Sequence, residues 1–180
     1  MVFAQFADET RFLTPYLRSV VAARTGRQPN AQFERIYQVK RQELQAFVDA
    51  GNGDLITLGT DHPSSGEYLT PFGVHRELLA LSRAGLPNAL VLRIATINGA
   101  RAMGLGDRAG SIEVGKWADL VVVRGDPLRD IRAVRQPRVV IKAGRIHDPA
   151  ALMRAAEGTI GPASAADSAA WAPDPPRRRP

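Results

Sequence analysis

Residues Ala95 to Ile131 read ATINGARAMGLGDRAGSIEVGKWADLVVVRGDPLRDI, and their pattern changes near the middle. Up to Met103 the residues suit a helix, whereas after Gly104 short β-rich runs alternate with glycine and proline. Apolar periodicity is the main sequence signal for secondary structure, and glycine and proline mark turns. The stretch therefore predicts a helix followed by a unit of β type, in which DLVVV and, further along, RVVIKAG form strands.

The residues before this stretch follow the rhythm of an α/β protein. Leu55 to Thr60 form a short apolar run that finishes on a glycine and a threonine, which predicts a short parallel strand that is covered on both faces. Helices are expected on either side of it, with Pro15 restarting the first and Gly51 stopping the second. The expected helical ranges are about 10–24, 30–50, 74–84 and 88–103.

The composition limits the classes of function. Of the formal net charge of +6, three positive charges come from the arginines at positions 177–179, and aromatic residues are not interleaved with basic ones. This pattern argues against nucleic acid as a partner. With zero cysteines, a disulfide framework, a thiolate metal site and a cysteine nucleophile are all excluded. No run approaches the roughly 18 apolar residues of a membrane span, so we expect a soluble, cytoplasmic protein without a membrane partner, unless a signal segment precedes Met1.

One known family shares the motifs of the opening stretch. They are T-x-N-x-A (Thr96, Asn98 and Ala100), G-S-I-x-x-G-K-x-A-D-L-V-V from Gly110 to Val122, and G-D-P-L from Gly125 to Leu128. Together they closely resemble the C-terminal end of metal-dependent amidohydrolases, especially the branch with imidazolonepropionase-like enzymes and Xaa-Pro dipeptidases. The resemblance covers about residues 44–152.

This resemblance implies an α/β fold, namely the C-terminal part of a (β/α)8 TIM-type barrel followed by part of a small β-sandwich, or composite, domain. Residues 1–104 would then hold the last barrel units, and residues 105–157 the C-terminal part of the small β domain. The segment 158–180 is rich in alanine, proline and serine without periodicity, which predicts a disordered tail.

The resemblance also implies a role for the sequence T-D at Thr60 and Asp61. In such enzymes T-D ends the eighth barrel strand, and its aspartate binds or faces a divalent metal, expected to be zinc, and carries protons. The C-terminal ends of barrel strands surround the active site, so Asp61 is predicted to be catalytic and a metal ligand. His62 and His75 are the candidates for substrate binding; the alternatives are a rim position for His62, a plain helix start for His75 and a turn residue for Asp61.

The implied reaction is metal-assisted hydrolysis of a C–N bond in a cyclic amide, an Xaa-Pro-type peptide or a related small molecule. The chain departs from the family, however, at the metal site. Relatives bind metal through an H-x-H pair, a lysine or glutamate, and further histidines, whereas this sequence has no H-x-H and only His62, His75 and His147. A catalytic zinc commonly needs about three protein ligands, and Asp61 is the one credible ligand here.

Three interpretations of this departure stay open. The chain is part of an incomplete amidohydrolase, a truncated non-catalytic interaction module, or one half of a split enzyme that a complementary N-terminal half completes. Strands without their usual neighbours would leave open edges, which predicts self-association, pairing with a partner or a rearranged small α+β fold.

Overall fold

The computed structural model describes residues 8–24, 31–60 and 72–170 of the 180-residue chain. These residues form helices and an antiparallel sheet, so the predicted α/β class is confirmed. They divide into two compact units. The larger unit comprises residues 31–60 and 74–152, and the smaller unit comprises residues 8–24, 72–73 and 153–170. This division does not fall at the boundary expected near residue 105, which stays a prediction about the complete enzyme.

The elements are numbered in chain order. The helices are α1 (Pro15–Arg24), α2 (Ala31–Phe47), α3 (Gly73–Arg83), α4 (Asn88–Arg93), α5 (Gly99–Ala102), α6 (Pro149–Ala156) and α7 (Ala165–Ala170). The strands are β1 (Leu120–Val123), β2 (Pro137–Lys142) and β3 (Arg145–His147). Short 3-10 turns cover Glu9–Phe12, Gly53–Leu55 and Ile131–Arg135.

The predicted helices are confirmed, with ends that differ by a few residues. α2 passes into a wider turn, Val48–Asn52, where Gly51 has a φ of +85° and the helix stops. Only glycine adopts this backbone conformation without steric cost, which is why the helix ends there. A π-helical turn, Ile94–Asn98, joins α4 to α5, so residues 88–102 form one continuous helix, which we call the motif helix.

The strand predicted at Leu55 to Thr60 is not formed in the described residues. Leu55 closes the 3-10 turn, and residues 56–60 follow without pairing to any strand that the structure describes. Their exposure still alternates, with Ile56, Leu58 and Thr60 less exposed than the residues between them, which is the period of an extended chain. A strand exists only where a neighbouring backbone supplies hydrogen bonds, and the described residues supply none here.

The strands predicted in DLVVV and RVVIKAG are confirmed as β1 and β2. A third strand, β3, which the sequence reading did not separate from β2, follows a tight turn, and the sheet order is β1-β2-β3 with both pairs antiparallel. Leu120 lies opposite Ile141, which in turn lies opposite Ile146. The Asp119 carboxylate accepts hydrogen bonds from the Ala143 N–H at 2.7 Å and from the Lys142 ammonium at 2.5 Å, and so fixes the β2–β3 turn.

The turn from the motif helix to the sheet rests on a close approach at Gly110. Its φ is +88°, and a Cβ built there would lie 2.7 Å from Ile97 Cα and 2.8 Å from Ala100 Cβ. No side chain fits in this space, and the small Ala100 is what allows the approach. The packing of Gly110 against the motif helix therefore explains the spacing between the T-x-N-x-A and G-S-I motifs.

Lys116 makes the polar contacts within the loop that connects α5 to β1. Its side chain is only 11% exposed. The Lys116 ammonium donates to the Gly106 carbonyl at 2.7 Å and the Ser111 hydroxyl at 2.6 Å, and pairs with the Glu113 carboxylate at 3.1 Å. A buried charge needs such partners to offset its lost hydration. Lys116 thus holds together the loop between α5 and β1.

The smaller unit corrects the expectation of a disordered tail from residue 158. Ile160 bridges Leu13 in parallel, its N–H donating to the Phe12 carbonyl at 2.9 Å, and α7 follows. Thr14 caps α1 by accepting from the Leu17 N–H and donates its hydroxyl to the Pro162 carbonyl at 2.5 Å. The composition of the segment predicts disorder because composition carries no information about backbone pairing with a distant segment. Residues 171–180 lie outside the described residues.

Gly110→Ala should destabilise the chain by about 2–4 kcal/mol, because it adds strain at positive φ to a clash with backbone atoms. Gly115→Ala is the matched control, since Gly115 has a φ of +93° but nothing within 4 Å of an added Cβ. The control should lose only about 1–2 kcal/mol. Urea unfolding followed by circular dichroism measures both. Equal losses in the two variants would contradict the packing argument.

Candidate functional site

Of the three predicted site residues, only His75 lies within the described residues. Asp61 and His62 lie outside the described residues, so their roles stay predictions. His75 lies in the first turn of α3 and is half-buried. His147 ends β3 opposite Val140 and is also half-buried. The structure therefore does not bring the candidate residues together in one described cluster.

The environment of His75 favours a neutral imidazole. Burial is the main cause that lowers the pKa of His75 from its ordinary value of 6.5, and the positive charge of Arg135 lowers the pKa further. Both effects penalise the protonated form. A neutral imidazole can accept a proton or a hydrogen bond, whereas the protonated form can only donate.

The motif helix contacts residues 53–56, which precede Asp61 in the sequence. The amide nitrogen of Asn98 donates to the carbonyls of Gly53 at 3.1 Å and Ile56 at 2.9 Å. Arg93 forms an ion pair with Asp54 at 2.7 Å. Gly53 is close enough to Leu90 that an added Cβ would lie 3.1 Å from the Leu90 Cδ1 atom. We call residues 53–56 the corner, and these contacts hold it against the motif helix.

The described residues do not fit a metal ion. Within residues 8–24, 31–60 and 72–170, no group of three or more histidine, aspartate or glutamate side chains is arranged to hold one. Arginine and lysine partners already occupy several of the carboxylates, such as Asp54, Asp119 and Asp130. The metal that the family resemblance implies therefore has no site in this part of the chain.

An open cavity of about 540 Å³ lies beside the β2–β3 turn. Its lining is Trp117, Ala118, Asp119, Lys142, Ala143 and Gly144. The charges of Asp119 and Lys142 satisfy each other, and the Lys142 hydrogen bond is the main cause that lowers the pKa of Asp119. With its two charged groups already paired, the lining of this cavity offers no free acid, base or nucleophile.

Sequence reasoning missed how Asn98 and Lys116 act. Both were recognised only as letters of the family motifs, and neither was predicted to make particular contacts. A signal was available for Asn98, because an amide among the apolar residues of a helix needs a hydrogen-bond partner. The partner itself could not be read from the sequence, since Gly53 and Ile56 lie more than forty residues earlier.

Comparisons with known proteins agree with this architecture. A profile of the amidohydrolase family matches residues 15–146. The chain is 42% identical over 74 residues to a 5-methylthioadenosine/S-adenosylhomocysteine deaminase of Syntrophobacter fumaroxidans, covering 38% of this chain and 17% of the relative. It is 38% identical over 92 residues to a probable imidazolonepropionase of Nematostella vectensis, covering 51% of this chain and 20% of the relative.

A solved structure extends the match beyond these segments. It is a prolidase in complex with N-methylphosphonate-L-proline, and it superposes with a TM-score of 0.53 and 26% sequence identity over 75% of this chain and 34% of the prolidase. The aligned part spans about a fifth of the length of the curated relatives. In the part of the chain that the structure describes, none of the helices has the length and apolar character of a membrane span.

Replacing Arg135 should raise the pKa of His75. In Arg135→Gln the pKa should stay below 6.5, because burial is the larger cause of the lowering. Arg129→Gln is the control, since the Arg129 side chain is 89% exposed and pairs with Asp126. Imidazole signals in ¹H–¹³C NMR titrations measure both changes. An unchanged His75 titration in Arg135→Gln would contradict the assigned electrostatic cause.

The lowered pKa of His75 also predicts how the free energy of unfolding changes with pH. An unfolded histidine takes up a proton near its ordinary value of 6.5, whereas the folded His75 takes it up only at lower pH. The folded chain should therefore lose stability as the pH falls below about 6.5. In His75→Gln this part of the pH dependence should disappear, which urea unfolding at several pH values would detect.

Proposed function

Since the chain belongs to the amidohydrolase family, we propose that it supplies the C-terminal part of an enzyme that hydrolyses a C–N bond in a small molecule or dipeptide. The observation that carries this proposal is the family match over residues 15–146, which spans the motif helix, its connection and the sheet. Under this proposal residues up to 104 are the last units of a (β/α)8 barrel, and residues 105–157 belong to a small β domain.

The substrate classes follow from the relatives. The names of the curated relatives specify a 5-methylthioadenosine/S-adenosylhomocysteine deaminase and a probable imidazolonepropionase, and the solved structure is a prolidase with a proline-containing ligand. Relatives named as a deaminase, a probable imidazolonepropionase and a prolidase are consistent with hydrolysis of a C–N bond. We propose a reaction of this kind, with a cyclic amide, an Xaa-Pro-type peptide or a related small molecule as substrate.

We assign proton transfer to Asp61. A carboxylate can accept a proton from the attacking water and deliver it to the leaving nitrogen, so one residue serves both halves of the hydrolysis. Support comes from its place in the chain, directly after residues 56–60 and five residues beyond the corner that the motif helix holds. His75 is proposed to contact the substrate as a neutral imidazole.

The described residues do not fit the metal that the family uses, because none of them form a cluster of three or more possible ligands. This disagreement supports the proposal that the chain is incomplete as a catalyst. A divalent metal, with zinc as the expected identity, would be held mainly by residues that this sequence does not contain, because it has no H-x-H pair.

A second candidate is a non-catalytic interaction module or one half of a split enzyme. The observation that favours it is the exposure of large apolar residues in the larger unit: Ile112 is 86% exposed, Ile146 76% and Val121 58%. Exposed apolar side chains on a sheet and its connection are typical of surfaces that another chain or segment covers. A complementary N-terminal half is a partner that fits both candidate functions, because it would cover these apolar residues and also complete the enzyme.

Asp61→Asn should lower turnover by about 10²–10⁴-fold in the complete enzyme, because an amide cannot carry the proton. The assay panel follows the relatives: proline release from Xaa-Pro dipeptides, ammonia release from 5-methylthioadenosine, and loss of imidazolonepropionate. The control is Asp107→Asn, which removes an exposed carboxylate from the connection between α5 and β1 and should leave turnover unchanged. Unchanged turnover in Asp61→Asn would remove Asp61 from the mechanism.

Metal content tests whether this chain is a catalyst by itself. Elemental analysis of the 180-residue chain after gel filtration should find well below one divalent metal per chain, because the described residues hold no ligand cluster. The apparent mass should exceed that of a monomer if the exposed apolar residues pair. One tightly held zinc per chain would contradict the proposal that the chain is incomplete and favour a self-sufficient enzyme.

A further inference from the structure

The sheet of the larger unit has two edge strands, β1 and β3, because the strand order is β1-β2-β3. The β2–β3 turn decides which of their backbone groups face outward. Its two central residues, Ala143 and Gly144, have φ values of +50° and +76°, as in the two-residue turns that are typical of hairpins. In such a hairpin the flanking residues, Lys142 and Arg145, exchange both of their backbone hydrogen bonds. The direction of the other backbone groups in the sheet follows by alternation.

This alternation leaves β1 with backbone groups that face away from the sheet. Leu120 and Val122 direct their N–H and carbonyl groups toward β2. The next residue of this series, Arg124, donates its N–H to the carbonyl just before β2, which fits the same alternation. Val121 and Val123 therefore direct their N–H and carbonyl groups to the open side, where no strand of the described residues pairs with them.

The two edges differ in their protection against pairing with another chain. β3 has three residues and begins with Arg145, an exposed charge of the kind that protects edge strands. β1 has the sequence LVVV, without charge or proline, and the exposed fractions of Val121 and Val122 are 58% and 47%. An open edge of exposed β-branched residues is a template for a further strand. The edge that invites pairing is therefore β1.

We propose that a second copy of this chain occupies the β1 edge, as an antiparallel strand related by a two-fold axis at Val121. Val121 of one copy then lies opposite Val121 of the other, and because both face outward they exchange both of their backbone hydrogen bonds. Leu120 lies opposite Val122 of the second copy, so apolar side chains continue across the joint. The two sheets become one, with the strand order β3-β2-β1-β1-β2-β3.

Charge complementarity supports this occupant and this orientation. β1 is preceded by Asp119 and followed by Arg124. Antiparallel pairing brings the Asp119 end of each copy to the Arg124 end of the other, whereas parallel pairing would bring like charges together. Arg124 is exposed and forms no ion pair with a carboxylate among the described residues, so its charge is available to the second copy. Asp119 keeps its bonds to Lys142 and Ala143, and its carboxylate can accept further ones.

The size of the contact sets the expected strength and the expected mass. Two paired strands of this length bury less than the about 1,200 Å² of stable interfaces, so we expect a reversible dimer with a micromolar dissociation constant. A two-fold arrangement uses the β1 edge of both copies, so association stops at the dimer. The proposal does not depend on the catalytic role of Asp61.

Sedimentation velocity of the full 180-residue chain between about 1 and 300 µM tests the dimer. The chain should change from monomer to dimer over this range. Val121→Lys places like charges opposite each other at the axis and should raise the dissociation constant at least about tenfold. Ile146→Lys is the matched control, because Ile146 is 76% exposed on the other edge strand, and should leave the dimer unchanged. A monomer at every concentration, a mass that grows beyond the dimer, or equal effects of the two variants would overturn the proposal.

A pair of opposite charges separates a lost contact from a misfolded variant. Val121→Lys and Val121→Glu should each weaken the dimer when alone, because each places like charges at the axis. Mixed in equal amounts, they should form a one-to-one heterodimer, since the lysine of one chain then lies opposite the glutamate of the other. Circular dichroism checks the fold of each variant first. Folded variants that form no heterodimer would contradict the pairing of Val121 with Val121.

A spin label locates the joint without changing β1. The sequence has zero cysteines, so Ile146→Cys on β3 carries a single nitroxide. In the proposed sheet the two β3 backbones lie about 24 Å apart, which is about five spacings between neighbouring strands, so double electron–electron resonance should find the labels about 20–35 Å apart. Pairing through β3 would bring the labels within about 10 Å of each other and broaden the continuous-wave spectrum. That broadening, or a dimer with labels further apart than about 45 Å, would rule out the β1 joint.

Discussion

The larger unit depends on one turn of helix, Ile94–Asn98, and on the close backbone contact that it makes with Gly110. An added methyl group at Gly110 would lie 2.7 Å from Ile97 Cα, so the connection to the sheet packs directly on the helix backbone. The next residue, Asn98, holds the corner of residues 53–56. Two neighbouring residues of one turn thus join the β sheet and the segment that leads to Asp61 to the same helix.

This constraint explains which parts of the structure could be predicted from the sequence. Helix ends were predictable because glycines at positive φ, such as Gly51 and Gly85, stop helices by local sterics. The strands β1 and β2 were predictable because β-branched residues between turn residues are a local pattern. In each case the information lies within a few residues of the element that it determines.

The rest depends on contacts between distant segments, and there the sequence reading was incomplete or wrong. Leu55 to Thr60 has the composition of a buried strand, yet it pairs with no strand among the described residues. Residues 158–170 have the composition of a tail, yet Ile160 and Pro162 are bonded to Phe12 and Thr14. Within the candidate site, His75 could be named from a motif, but its dependence on Arg135 joins residues sixty positions apart.

The family resemblance and the chemistry are carried by different residues. The matched motifs centre on Asn98, Ala100, Gly110, Lys116 and Asp119, and each of them either makes a close backbone contact or holds a loop by hydrogen bonds. Packing of this kind restricts residue identity strongly, because no other side chain has the same size or donors. A reaction needs in addition an acid or base and an activated water, and Asp61 is the residue of this sequence for which we propose the acid–base role. Under the proposed function, the chain therefore matches the family through residues that pack the fold, whereas most of the groups that perform the reaction lie outside these motifs.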